Sequence, residues 1–166
     1  MIRYWEKRFK SGILTENIEL DKEFNAIKKE LKKSIKKNFA GSLAIRMVDS
    51  GSCNACEAEC NALSNPYYDL ERLGISFVAS PRHADIMLLS GVMTFNMYHH
   101  AWDCYEQMPN PKWVIALGDC AKNLSVFEKT YAIKGVDLPI DYTIKGCPPS
   151  PKDIILGLLE FLRSKE

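Results

Sequence analysis

The chain has 166 residues, 22 Lys and Arg against 21 Asp and Glu, and 46% hydrophobic content. That length holds one domain with a single core plus an appendage. A net charge of +1 argues against a general nucleic-acid binder, and no apolar run approaches the roughly 18–20 residues that span a bilayer. The start, with Arg3, Lys7, Arg8 and Lys10 close behind Met1, offers no apolar signal segment, so the six cysteines are expected to be reduced.

In chain order, Ile2, Tyr4, Trp5, Phe9, Ile13 and Leu14 form an apolar and aromatic segment too short for a core of its own. It is expected to lie against another surface, a partner's. Residues 21–38 predict an amphipathic helix, because Phe24, Ile27, Leu31 and Ile35 recur at spacings of three and four. Lys28, Lys29, Lys32, Lys33, Lys36 and Lys37 make that helix basic. Such a face suits a solvated helix packed on a subunit, or attraction to anionic lipid headgroups or an acidic electron carrier. Residues 1–40 therefore read as an N-terminal interaction arm and residues 41–166 as the main domain.

From about residue 42, short apolar runs alternate with helical stretches and Gly/Pro punctuation, the pattern of an α/β protein whose parallel sheet is covered on both faces. Strands are expected at Leu43–Val48, Ile75–Ala79, Ala84–Ser90, Trp113–Leu117 and Leu138–Ile144, and helices at 54–63, 67–73, 95–107, 121–130 and 150–163. The last helix is the best marked. Ser150 is its N-cap, Pro151 its first residue and Asp153 lies three after the cap, ahead of Ile154, Ile155, Leu158, Leu159 and Leu162 on one face. Helix 95–107 carries His99, His100, Met97 and Trp102 close to Met93, and so many large groups on one surface helix predict an interface.

Four cysteines stand in distinctive phrases: Gly51-Ser52-Cys53-Asn54-Ala55-Cys56, Gly118-Asp119-Cys120-Ala121 and Gly146-Cys147-Pro148-Pro149. On the strand assignment above, all four follow the carboxyl ends of strands, the edge at which an open α/β sheet binds ligands. A Cys-x-x-Cys pair with two distant single cysteines supplies the one thiolate per iron that a 4Fe-4S cube requires. Cys53, Cys56, Cys120 and Cys147 are therefore the candidate metal ligands and cofactor-binding residues for one 4Fe-4S cluster. A zinc site also takes four cysteines, usually as two Cys-x-x-Cys knuckles, and stays open as the basis of a zinc-stabilised binding module without redox function. Cys60 and Cys104 fall in helical stretches and read as small buried hydrophobes, with Cys60 the nearer rival because it lies one turn beyond Cys56.

The order of these phrases resembles a known family over about residues 42–166: the small, cluster-bearing subunit of nickel–iron hydrogenases and its homologue in respiratory complex I, which carries the terminal iron–sulfur cluster. The anchors are Cys53-x-x-Cys56-x-x-Glu59, Tyr68-Asp69-Leu70-Glu71-Arg72-Leu73-Gly74, Ser80-Pro81-Arg82-His83-Ala84-Asp85, Met108-Pro109-Asn110-Pro111-Lys112-Trp113, Gly118-Asp119-Cys120-Ala121 and Gly146-Cys147-Pro148-Pro149-Ser150-Pro151. Complex I subunits have two adjacent cysteines in the first motif, whereas this chain has the spaced pair followed by Glu that is similar to the hydrogenase side. It departs from the family at Ala55 and at Asn123-Leu124-Ser125, where glycines are usual.

The resemblance implies a flavodoxin-like fold and one electron-relaying 4Fe-4S cluster within a membrane-bound, energy-converting hydrogenase or formate hydrogenlyase. It implies three kinds of partner: a nickel–iron large subunit, ferredoxin-like iron–sulfur subunits and membrane subunits, with the chain peripheral on the cytoplasmic side of the membrane. A related complex I-like reductase of quinone or sulfur compounds is the alternative. No catalytic residue is implied in the chain itself. Glu59 either couples proton movement to reduction or is a first-turn carboxylate favoured by the helix dipole. His83, beside Arg82, reads as a polar loop residue or as a contact to the partner near the cluster.

Overall fold

The computed structural model describes residues 2–11, 21–123 and 137–165. Five strands, β1 Leu43–Asp49, β2 Ile75–Phe77, β3 Ile86–Ser90, β4 Trp113–Leu117 and β5 Tyr142–Ile144, form one sheet in the order β2-β1-β3-β4-β5. All four pairings are parallel. This is the strand order of the flavodoxin-like doubly wound fold, and it confirms the fold expected from the sequence.

The helices are α1 Ile2–Ser11, α2 Lys22–Asn38, α3 Ala55–Ala62, α4 Phe95–Gln107, the single turn α5 Cys120–Asn123, and α6 Pro151–Ser164. α2, α3 and α6 cover one face of the sheet, where Phe24, Leu31, Ile35, Leu63, Ile154, Leu158 and Phe161 pack on Leu43, Ile45, Leu88 and Ile115. α4 covers the other face, with Ala101 and Cys104 packed against Val48, Met87, Leu89 and Val114. The strands are apolar on both sides because both sides are covered, and β3 is buried at every position.

α2 forms as its periodicity predicts. The Asp21 carboxylate accepts from the Phe24 amide at 3.0 Å to cap its first turn. Its apolar stripe contributes to the same core as the sheet, and its polar edge is tied to α6 by Lys152–Asp21 and Arg163–Glu30 ion pairs. α6 carries the expected capping box, with Ser150 and Asp153 bonded reciprocally.

Several elements differ from expectation. The stretch expected as helix 67–73 is a 3₁₀ turn, Leu70–Leu73, entered through Asp69 at φ 49°. β5 is shorter than Leu138–Ile144, because Pro139 has no amide to donate and pairing with β4 covers only Tyr142–Ile144. Met93 is fully buried and Trp102 packs on the second core, so much of the apolar surface expected at an interface on α4 is internal, while Phe95 remains 55% exposed. The expected helix 121–130 lies outside the described residues beyond Asn123, as do Ile13 and Leu14.

Leu31 is fully buried, so Leu31→Ala should lower the unfolding free energy by about 2–5 kcal/mol. The shift of the urea midpoint measures it. A change below about 1 kcal/mol would show that α2 is only loosely attached.

Candidate metal centre

The parallel sheet brings three loops to its carboxyl edge. In the loop after β1, the Asp49 carboxylate accepts from the Gly51 and Ser52 amides at 2.8 and 2.7 Å, and Ser52 Oγ accepts from the Asn54 amide at 3.0 Å. Asn54 then sits at φ 68° and opens α3, which leaves Cys53 in the turn and Cys56 in the first helical turn. The loop after β3 interlocks with this one. A Cβ on Gly91, at φ +74°, would lie 2.5 Å from the Ser52 nitrogen, so only glycine allows the approach. β1 and β3 are adjacent, yet α3 and α4 leave them toward opposite faces, which makes this the topological switch point of the sheet.

The loops after β4 and β5 are bound to each other. The Gly118 amide donates to Ile144 O at 2.8 Å, the Asp119 amide to Gly146 O at 2.9 Å, and the Gly146 amide to Asp119 Oδ1 at 3.1 Å. Cys120 and Cys147 are thereby carried side by side past the strand ends. Cys56 reaches across to them: its Sγ lies 3.8 Å from Leu117 O, and a Cβ on Gly118 would stand 2.9 Å from that sulfur. Gly118 is thus a cradle that any larger residue would fill.

Cys53, Cys120 and Cys147 all lie within electrostatic range of Cys56. Burial pushes the Cys56 thiol up to about 12, and the charges of Glu57, Cys53, Cys120 and Cys147 add to the rise. Four thiolates so placed repel one another and need a compensating positive centre to ionise together, which is the chemistry of a metal site. Among the described residues, no group of three or more His, Cys, Asp or Glu side chains closes tightly enough to hold a single metal ion. Tetrahedral zinc needs four sulfurs about 2.3 Å from one point. A cube that takes one thiolate at each of its four irons accepts a wider spread. Four cysteine thiols from three loops supply the one thiolate per iron that such a cube takes.

Cys60 is 2% exposed in the larger core, where burial above all raises its thiol to about 12, and Cys104 is 9% exposed in the smaller core beside Arg46. Both occupy packing positions. Arg82 and His83 lie exposed on a turn preceding β3, toward the amino edge of the sheet and away from the cysteines. Glu59 is partly exposed on α3. The residue that sequence reasoning passed over is Glu57: its Oε1 accepts a hydrogen bond from the Ser90 hydroxyl at the end of β3, while its Oε2 is buried without a partner. The available signal was its place directly after Cys56, in the first turn of the helix.

Residues 53–161, the span that contains all four cysteines, match the family model described as the 20 kDa subunit of NADH ubiquinone oxidoreductase. The chain belongs to that family. It is an oxidoreductase subunit of the same kind. It is 42% identical over 141 residues to a probable membrane-bound hydrogenase subunit, mbhJ, of Pyrococcus furiosus, a match covering 81% of this chain and 84% of that protein. It is 40% identical over 139 residues to formate hydrogenlyase subunit 7 of Escherichia coli, covering 78% of this chain and 54% of that one. Among solved structures, a chain of the membrane-bound sulfane sulfur reductase, an archaeal respiratory membrane complex, superposes with a TM-score of 0.66 at 32% identity. That match covers 81% of this chain and 76% of the other.

In metal-free protein at pH 8, iodoacetamide should modify the exposed Cys53 and Cys147 well before Cys56 and Cys60, as followed by peptide mass spectrometry. The Cys56 rate should then climb about tenfold per pH unit up to pH 10, as its thiolate fraction grows. Equal rates for Cys53 and Cys56 at pH 8 would contradict this site.

Proposed function

We propose that Cys53, Cys56, Cys120 and Cys147 hold one 4Fe-4S cluster and that the chain is the electron-transfer subunit of a membrane-bound hydrogenase or formate hydrogenlyase. The observation that carries this reading is the gathering of four thiols from three loops at the carboxyl edge of the sheet, with Gly118 leaving room for the Cys56 sulfur. When bound, such a cluster supplies one-electron transfer between a ferredoxin-like donor subunit and a nickel–iron centre in a separate large subunit. The chain's own residues hold and shape the site. Asp119 locks the two single-cysteine loops together, Asp49 and Asn54 set the turn that presents the cysteine pair, and the amino end of α3 favours negative charge beside Cys56. Glu57, held by Ser90, places a carboxylate against the cysteine pair.

A second reading rests on a specific observation: the 32% identity to a chain of a sulfane sulfur reductase. There the same site would serve a complex that reduces sulfur compounds. The two differ in the large subunit, so hydrogen evolution and sulfane reduction assayed on the same purified complex separate them. Among the described residues no helix is long and apolar enough to cross a membrane. Attachment to the membrane in either reading runs through partner subunits or through a helix lying on its surface.

Cys120→Ala in the assembled complex should abolish electron flow from donor to hydrogen while nickel in the large subunit stays at its wild-type level. Cys60→Ser and Cys104→Ser should leave iron and sulfide content unchanged. Full turnover with Cys120→Ala, or loss of iron with Cys60→Ser, would refute the ligand assignment.

A further inference from the structure

α1 is exposed at every side chain described for it: Trp5, Glu6, Lys7, Phe9, Lys10 and Ser11. Trp5 is 51% and Phe9 80% exposed, and their rings sit 6.4 Å apart on one face at the i,i+4 spacing. Lys7 and Lys10 share a second face, turned from the aromatic pair by about 150° at 100° per residue. Over its length the helix carries Arg3, Lys7, Arg8 and Lys10 against the single acid Glu6. At about 1.5 Å per residue it is roughly 15 Å long, half the thickness of a hydrocarbon core, so it can lie on a bilayer but cannot span one.

A helix this short is marginal in water unless something packs against it. The sequence alone predicts a partner protein in that role. The composition points elsewhere, because lysine is depleted in the buried centre of protein interfaces, whereas aromatic groups flanked by Lys and Arg suit the headgroup boundary of an anionic membrane. Two relatives, moreover, belong by description to membrane-bound complexes. We infer that α1 is a membrane-surface anchor: Trp5 and Phe9 insert at the headgroup boundary of an anionic bilayer while Lys7 and Lys10 pair with lipid phosphates. The anchor does not depend on the metal centre, and its failure leaves the cluster reading intact. α2 presents a second basic surface through exposed Lys29, Lys32, Lys33 and Lys36, but has no exposed aromatic partner for them. It serves as the control.

The test uses the full-length chain with vesicles of phosphatidylcholine and phosphatidylglycerol in a 3:1 ratio, about a typical anionic content, beside vesicles of phosphatidylcholine alone. The chain should sediment with the anionic vesicles, and brominated lipid should quench a tryptophan signal that is absent from Trp5→Phe. The Trp5→Ala/Phe9→Ala pair and the Lys7→Glu/Lys10→Glu pair should each weaken partitioning about tenfold or more, since each removes one of the two attractions. Lys32→Glu/Lys36→Glu should leave the Trp5 quenching in place. Unchanged circular dichroism and cluster absorbance verify that the α1 variants fold. Failure to bind anionic vesicles, or binding that α1 variants do not weaken, overturns the inference. So does an α1 variant that loses its large subunit while keeping full lipid binding, which would make α1 a protein contact.

Discussion

The gathering of four cysteines on one sheet edge, where their thiolates would repel one another, is the constraint on which the rest of the site turns. Parallel pairing in the order β2-β1-β3-β4-β5 sends every strand's carboxyl end to the same side, so loops far apart in sequence open onto one small volume. The Cys56 thiol is raised to about 12, first by burial, then by the charge of Glu57, with Cys53, Cys120 and Cys147 adding to the rise. The fold holds the thiols together because the β4 and β5 loops are bonded to each other through Asp119 and Gly146, while the β1 loop is pinned by its own Asp49 turn and by the close fit of Gly91. Thiolates held this close would repel one another, and a positive centre among them would offset that repulsion.

The other two cysteines stand apart from these four. Cys60 and Cys104 each face a core: one beneath α3, α2 and α6, the other beneath α4. Glu57 differs from both. Its position next to Cys56 turns the carboxylate toward Ser90 and leaves one oxygen buried without a partner, an arrangement that costs stability unless the site gives something in return. Charge and burial thus coincide at the end of β3, where the sheet changes winding direction.

Much of this was legible in the residues. The period of Phe24, Ile27, Leu31 and Ile35 found α2, and the Ser150, Pro151 and Asp153 pattern found the start of α6 because capping is a local interaction. The cysteine phrases found the edge, since Gly beside Cys marks a strand end in this topology. What escaped depended on contacts between distant segments. Met93 and Trp102 are large and apolar, but only the packed structure shows that the second core covers them. The third strand starts at Ile86 and not at Ala84, and the residue before it, Asp85, is tied to Ala44 twice, its amide donating to the Ala44 carbonyl and its carboxylate accepting from the Ala44 amide. Glu57 and Glu59 are indistinguishable in a helical pattern until Ser90, on another strand, selects one.

The most direct measurement is anomalous diffraction at the iron edge from crystals of the chain, or of its complex, grown without oxygen. The account predicts four iron peaks in one compact group, each bonded to a single cysteine sulfur, the four being Cys53, Cys56, Cys120 and Cys147. A single metal peak shared by several of these sulfurs, or an iron bonded to Cys60, would contradict it.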